Sequence, residues 1–295
     1  MVKPIPLAAP VIKAVFPESF MGEASAERIV KEFGDPCAPY RAMPLLTQTV
    51  LQTRDLVKSF AGFTALDHLS IEFAEGTVHA VIGPNGAGKT TLLNVLSGFA
   101  RPTSGHVFLG GVDITHTDAA SVARMGVVRS FQINSVFPHL SALDNVKISL
   151  QARTNLSSRV LASRSVTAQF DDAAMDALES VGLAGDRSFI AAELPYGKKR
   201  SLELAIAIAQ EPRVLLLDEP TAGMTSHDVD RTVETIARLA PGRTIVLVEH
   251  NLGVVKHLCS RVTVLQRGTV LADGTYDEVR GDARVVDAYL GGASE

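Results

Sequence analysis

The segment Gly83-Pro84-Asn85-Gly86-Ala87-Gly88-Lys89-Thr90-Thr91 carries the spacing G-x-x-x-x-G-K-[ST] without a mismatch. Glycines so placed let consecutive backbone N–H groups curl around an anion, and a helix starting at Lys89 adds the positive end of its dipole. Lys89 would then reach the β- and γ-phosphates of a nucleoside triphosphate, and the Thr90 hydroxyl would ligate Mg²⁺. Far downstream, Leu215-Leu216-Leu217 runs into Asp218 and Glu219. An apolar strand ending in Asp places a carboxylate beside the metal. Glu219, one residue on, is placed to poise a water for attack on the γ-phosphate as general base. A chance Gly-rich turn and an ordinary acidic strand end are the bland alternatives. The strand before, the helix after and the Lys-Thr pair argue against both. The chemistry expected is that of a protein that binds a nucleoside triphosphate.

Particular elements must hold these residues. Val78 to Ile82 reads as a short buried strand entering the loop, and KTTLLNVLSGF as a helix with Leu92, Leu93 and Leu96 on one face and Gly98 near its end. RVLLLDE and RTIVLVEH are continuous apolar runs, the texture of parallel strands covered on both faces. A helix over about 227–239 joins them. Upstream, VLQTRDLVKSF and HLSIEF alternate as an antiparallel edge pair. Phe60 ends the first of these runs before a Gly turn. It is either a strand-end core aromatic or a surface on which a flat base stacks. Residues 104–111 read as turn, strand and turn, and 127–132 as a strand ending in Gln132. The text turns helical over about 139–212, with an exposed loop or loose helix at 151–167. RVTVLQRGTVLADG reads as a hairpin, followed by a short C-terminal helix. The fold class expected is α/β: a phosphate-loop core with a mostly parallel sheet, an antiparallel edge subdomain and a helical lobe.

Composition narrows the setting. The chain has 295 residues, 46% of them hydrophobic and 20% charged, with a net charge of −4, so nothing global points to nucleic acid. Cys37 and Cys259 suit a reducing cytoplasm and suggest neither a disulfide framework nor a metal site. No run approaches the roughly 18 apolar residues of a membrane span, so a membrane role must come through a partner. Residues 1–42 differ from the rest. Pro4, Pro6, Pro10, Pro17, Pro36 and Pro39 interrupt them, they hold at most a short helix over 25–33, and they read as a poorly ordered extension. A start at Met43 is the plain alternative. The prolines also break any secretory signal.

The phosphate loop, Gln132, the Gly197 region, LLLDEPTAG and His250 occur in the order of the ABC-type ATPases, the nucleotide-binding subunits of membrane transporters, which the chain resembles from residue 45 onward. The resemblance implies that Phe60 stacks on adenine and that Gln132 touches Mg²⁺ and its water. It implies that His250 contacts the γ-phosphate as a switch residue, and that Gly197 and Lys198 lie in the signature segment facing ATP. It also implies head-to-tail dimers, with each ATP held between one copy's phosphate loop and the other's signature. Finer text resembles the branched-chain amino acid importer ATPases: 124–132, Leu194-Pro195-Tyr196-Gly197, Val248-Glu249-His250-Asn251 and Ala288-Tyr289-Leu290-Gly291. Relatives importing urea or short amides are similar. Pro195, Tyr196, Lys198 and Thr225 depart from the usual residues. Lys198 and Lys199 would put cations toward the phosphate in place of the missing signature Ser. The implied partners are a second copy or paralogue, membrane permeases and, indirectly, a periplasmic solute-binding protein. The implied place is the cytoplasmic face of the inner membrane. A soluble ABC ATPase acting on DNA or the ribosome, and a silent regulatory cassette, are the rival classes. The first usually carries a long coiled coil or tandem cassettes, and Glu219 and His250 argue against the second.

Overall fold

The computed structural model describes residues 48–130, 136–153 and 169–290. The expected extension, Gln132 and most of the 151–167 segment lie outside those residues.

Ten strands and nine helices run along the described chain. β1 (Thr49–Phe60) and β2 (Phe63–Ala74) form the expected antiparallel pair, and β3 (Val78–Ile82) enters the phosphate loop. Helix α1 (Lys89–Leu96), β4 (Ser104–Leu109), β5 (Val112–Asp113), α2 (Ala119–Arg124) and β6 (Val127–Ser130) follow. The lobe holds α3 (Ala142–Arg153), α4 (Asp171–Ser180) and α5 (Tyr196–Ala209). Then come β7 (Val214–Asp218), α6 (Ser226–Leu239), β8 (Thr244–Val248), α7 (Leu252–Leu258), β9 (Arg261–Gln266), β10 (Thr269–Gly274), α8 (Tyr276–Gly281) and α9 (Ala283–Leu290).

The strands make two sheets, ordered β2-β1-β4-β5 and β10-β9-β3-β8-β7-β6. In the larger sheet β6, β7, β8, β3 and β9 are parallel, and β10 closes the edge as an antiparallel hairpin with β9. Every residue of β3, β7 and β8 is buried, which is why their sequences are apolar without alternation. The pleat still sorts them. Ala80, Leu215, Leu217, Ile245 and Leu247 pack with the lobe and with α6 and α7. Val81, Leu216, Val246 and Val248 pack with α1 and the smaller sheet. The molecule is thus three layers deep, helices on one face and α1 with the antiparallel sheet on the other.

The helix ends carry local signals that agree with the packing. Thr225 caps α6 by accepting from the Asp228 amide, so the residue that departs from the family's usual Asp still satisfies the first turn. Asn251 caps α7, and Thr275 with Glu278 forms a capping box on α8.

One polar residue interrupts the central strand β3. His79 is fully buried; its Nε2 lies 2.7 Å from Thr263 Oγ1, and Phe73 packs on its ring at 4.9 Å between centroids. Burial lowers its pKa to about 4, so the ring stays neutral in the folded protein. The unfolded chain, with an ordinary His pKa near 6.5, takes up the proton first. Stability is therefore complete above that value and falls as pH drops toward 4. Urea unfolding should lose about 2 kcal/mol through this one group between about pH 7.5 and about pH 5, and His79→Gln should lose correspondingly less over that interval. Equal acid sensitivity of the two proteins would count against this assignment.

Candidate active site

Parallel order brings the carboxyl ends of β3, β8, β7 and β6 side by side along one edge of the sheet. Val248 at the end of β8 pairs with Val81 on one side and with Asp218 on the other. The phosphate loop, the acidic pair and His250 therefore emerge within neighbouring strands. This is the convergence that the sequence order of the motifs implied.

The phosphate loop runs from β3 into α1, and two of its glycines are obligatory. Gly83 has φ 149, and a Cβ there would sit 2.2 Å from the Leu265 carbonyl oxygen. Gly88 has φ 104, and its Cβ would meet the Ala65 carbonyl at 2.6 Å. Both are places where only hydrogen fits between the loop and a neighbouring backbone. Gly88 is the N-cap of α1, with no side-chain cap and no acidic residue in the first turn. That leaves the amides of the first turn and the positive end of the dipole for an anion. Lys89 folds back and donates to the carbonyls of Gly83 at 2.7 Å and Pro84 at 3.0 Å. Burial lowers its pKa, while the charges of Glu219 and Asp218 oppose that shift, so all three groups share one field. Thr90 is exposed beside it. A hydroxyl and a carboxylate are the oxygen donors a hard cation takes, so Thr90 and Asp218 fit Mg²⁺ and the loop fits a triphosphate.

Asp218 is not free. Arg129 on β6 reaches Asp218 Oδ2 with Nη2 and Asn94 Oδ1 with Nη1, both at 2.5 Å; Asp218 is buried and Arg129 partly so. The guanidinium thus joins three elements, β6, β7 and α1. Glu219 follows in a left-handed conformation, φ 48, unusual for a residue with a Cβ. Its amide donates to the Val248 carbonyl at 2.9 Å, which extends the β7–β8 pairing by one bond. The turn then directs its carboxylate to His250, whose Nε2 lies 2.9 Å from Glu219 Oε1. The base and switch residues inferred from the text are in direct contact.

Several other positions bear on the site. Phe60 is 48% exposed, with Lys58 Nζ 4.6 Å from its ring centroid, so the reading of a strand-end core aromatic does not hold. Gly197 lies in the first turn of α5, whose N-cap is Pro195 without a side-chain bond. Lys198 is held by both oxygens of Asp186 at 2.8 Å, and Lys199 donates to the Ala192 carbonyl at 2.8 Å. Neither lysine is an unattached cation. Tyr196, in place of the family's usual Gly, donates its hydroxyl to the Ala222 carbonyl at 2.9 Å and ties α5 to the loop beyond Glu219.

Sequence reasoning missed four participants. Arg129 and Asn94 lie 35 residues apart, and only the fold sets Arg129 between Asn94 and Asp218. Glu249 is buried and accepts from the Thr221 amide and hydroxyl and from the amides of His250 and Asn251. Tyr289 on α9 lies against the Gly83 backbone, and burial pushes its hydroxyl to about 12. Glu249 and Tyr289 stood within stretches already singled out for subfamily, a signal that went unread as chemistry.

The chain is similar to known proteins over most of its length. A family model described as "ABC transporter" matches residues 66–222, and one described as "Branched-chain amino acid ATP-binding cassette transporter" matches residues 269–295. The high-affinity branched-chain amino acid transport ATP-binding protein LivG of Salmonella typhimurium is 36% identical over 255 residues, covering 84% of this chain and all of that protein. BraF of Pseudomonas aeruginosa, which bears the same description, is 34% identical over 257 residues, covering 84% and 100%. Among solved structures, the ADP conformation of MJ1267, an ATP-binding cassette of an ABC transporter, superposes with a TM-score of 0.72 at 27% identity, covering 83% of this chain and 100% of that one.

Removing the cation from a buried carboxylate is costly, so Arg129→Ala should lower the unfolding free energy by about 3–5 kcal/mol without nucleotide or Mg²⁺ present. Adding Asp218→Asn should recover part of that loss, because the stranded charge goes with it. Urea unfolding of the two variants checks this; a loss under about 1 kcal/mol for Arg129→Ala would mean the pair is not what seats Asp218.

Proposed function

This chain belongs to the ABC transporter family, and we propose that it is the ATP-hydrolysing subunit that powers import of branched-chain amino acids through partner permeases. The observation that carries the catalytic half is the 2.9 Å contact between Glu219 and His250 beside a phosphate loop whose Lys89 lies in the field of Glu219 and Asp218. The solute half rests on the C-terminal family match and on what LivG and BraF are said to transport.

The geometry supports a simple division of labour. The first-turn amides of α1 and the ammonium of Lys89 bind and orient the triphosphate, Lys89 exchanging the Gly83 and Pro84 carbonyls for phosphate oxygens. When bound, Mg²⁺ would be held by Thr90 and Asp218, with Gln132 as a further ligand, and would neutralise charge on the β- and γ-phosphates. Glu219 orients the attacking water and accepts its proton. His250 holds the Glu219 carboxylate from one side, at the edge where the γ-phosphate would lie. Phe60, exposed at the end of β1, offers a face for the adenine.

No helix among the described residues is long and apolar enough to cross a membrane, so the membrane is reached through the permeases. Phe137 and Phe189 are about half exposed, on two segments joined by the Ala142 amide to Phe189 carbonyl bond and the Ala192 amide to Pro138 carbonyl bond. Such an apolar pair on the lobe suits a partner's surface. The working unit is a dimer, of two copies or with a paralogue, on the cytoplasmic face of the membrane and served by a periplasmic solute-binding protein.

Glu219→Gln removes the base and spares the phosphate contacts. It should bind ATP as the parent does, while turnover falls about 10²–10⁴-fold. In proteoliposomes containing the permeases and the binding protein, leucine, isoleucine or valine uptake should require ATP and vanish with this variant. Hydrolysis by Glu219→Gln at the parent rate would rule out Glu219 as base. ATP-driven uptake of urea or an amide instead of leucine would move the solute assignment while keeping the ATPase.

A further inference from the structure

Glu249 has no part in the chemistry described so far, yet its carboxylate is among the most heavily bonded of the described residues. It is 3% exposed and carries four hydrogen bonds. Oε1 accepts from the Thr221 amide at 3.0 Å and from the Thr221 hydroxyl at 2.6 Å. Oε2 accepts from the amides of His250 at 3.0 Å and Asn251 at 3.2 Å. The two oxygens thus serve two different loops. One is the turn after β7 that begins with Glu219, and the other is the turn after β8 that begins with His250. Those loops are otherwise joined through the Glu219 amide on Val248 and the Glu219–His250 side-chain contact.

The arrangement is more than filler. Three of the four donors are backbone amides, which cannot reverse to accept, so only an acceptor-only group satisfies them all. A carboxylate does so, and its charge strengthens each bond in a site shielded from water. Asn251, beyond the second amide, also caps α7 through the amides of Gly253 and Val254, so the His250 turn is fixed at its far end as well. What remains adjustable is the distance between the two turns, and Glu249 spans it.

We infer that Glu249 is a positioning residue for hydrolysis: it locks the Thr221 turn to the His250 turn, and so sets the Glu219–His250 spacing. The inference rests on the proposed roles of Glu219 and His250. None of its partners belongs to the phosphate loop, so it should affect turnover and leave ATP binding alone.

Glu249→Gln keeps the shape and removes the charge. The favoured amide orientation faces Thr221, where the hydroxyl can turn to accept, and it leaves the Thr221 amide opposite a second donor. The opposite orientation strands two amides. The turn bearing Glu219 should therefore loosen, with kcat falling about tenfold to a hundredfold and the affinity for a fluorescent ATP analogue staying within about twofold. In a His250→Ala background there is no spacing left to set, so the same substitution should cost less than about threefold. Thr221→Val removes one donor without touching the carboxylate; it guards against misfolding of Glu249→Gln and should lower kcat in the same direction by a smaller factor. Equal fold-losses in the two backgrounds, unchanged kcat in both Glu249→Gln and Thr221→Val, or a matching loss of ATP affinity would overturn the inference. Full activity of Glu219→Gln would overturn the hydrolytic reading and this inference with it.

Discussion

Strand β8 lies between β3 and β7, and every catalytic placement depends on that parallel pairing. Val248 is the shared point: it is opposite Val81 on one side and Asp218 on the other, and its carbonyl accepts the Glu219 amide. All three strands are packed on both faces, so a shift by one residue would exchange the side chains that meet the lobe with those that meet α1 and carry the loops with it. Burial therefore fixes register, and register fixes where the phosphate loop, the acidic pair and the histidine emerge. The layers on the two faces hold the sheet rigid against the forces of binding.

Charge is the second organising term. Two adjacent carboxylates at the end of a buried strand would repel each other and resist desolvation. The fold answers each separately: Arg129 is on Asp218, His250 is on Glu219, and Lys89 lies within the field of both. A triphosphate brings more negative charge to this edge. The uncapped end of α1 and the glycine-built loop then provide the compensating dipoles, and Lys89 changes partners rather than position in the chain. Glu249 stands behind this group as a fully bonded carboxylate.

The layered architecture was legible because its signals are local. Continuous apolar runs marked β7 and β8, the loop spacing marked β3 and α1, and even the β9–β10 hairpin could be read from RVTVLQRGTVLADG. The motif residues Lys89, Asp218, Glu219 and His250 were legible for the same reason. Contacts set by tertiary approach were not. Nothing in the spacing of Asn94, Arg129 and Asp218 announces a shared guanidinium, and Glu249 read as one letter of a subfamily stretch until four donors were seen on it. Phe60 had two sequence readings that only its exposure separates. Lys198 shows the opposite limit. A cation in the first turn of α5 suggested a phosphate contact, and in the free chain it is paired with Asp186.

On the proposed function, the ends of β3, β7 and β8 form one hydrolytic site whose parts are already in place. A crystal structure of the protein with Mg²⁺ and a non-hydrolysable ATP analogue is the test. The triphosphate should lie on the N-terminus of α1, with Lys89 turned from the Gly83 and Pro84 carbonyls onto phosphate oxygens and the Glu219–His250 pair facing the γ-phosphate, the β7–β8 register unchanged. A triphosphate bound there with Glu219 and His250 directed away from it, or bound elsewhere on the molecule, would contradict it.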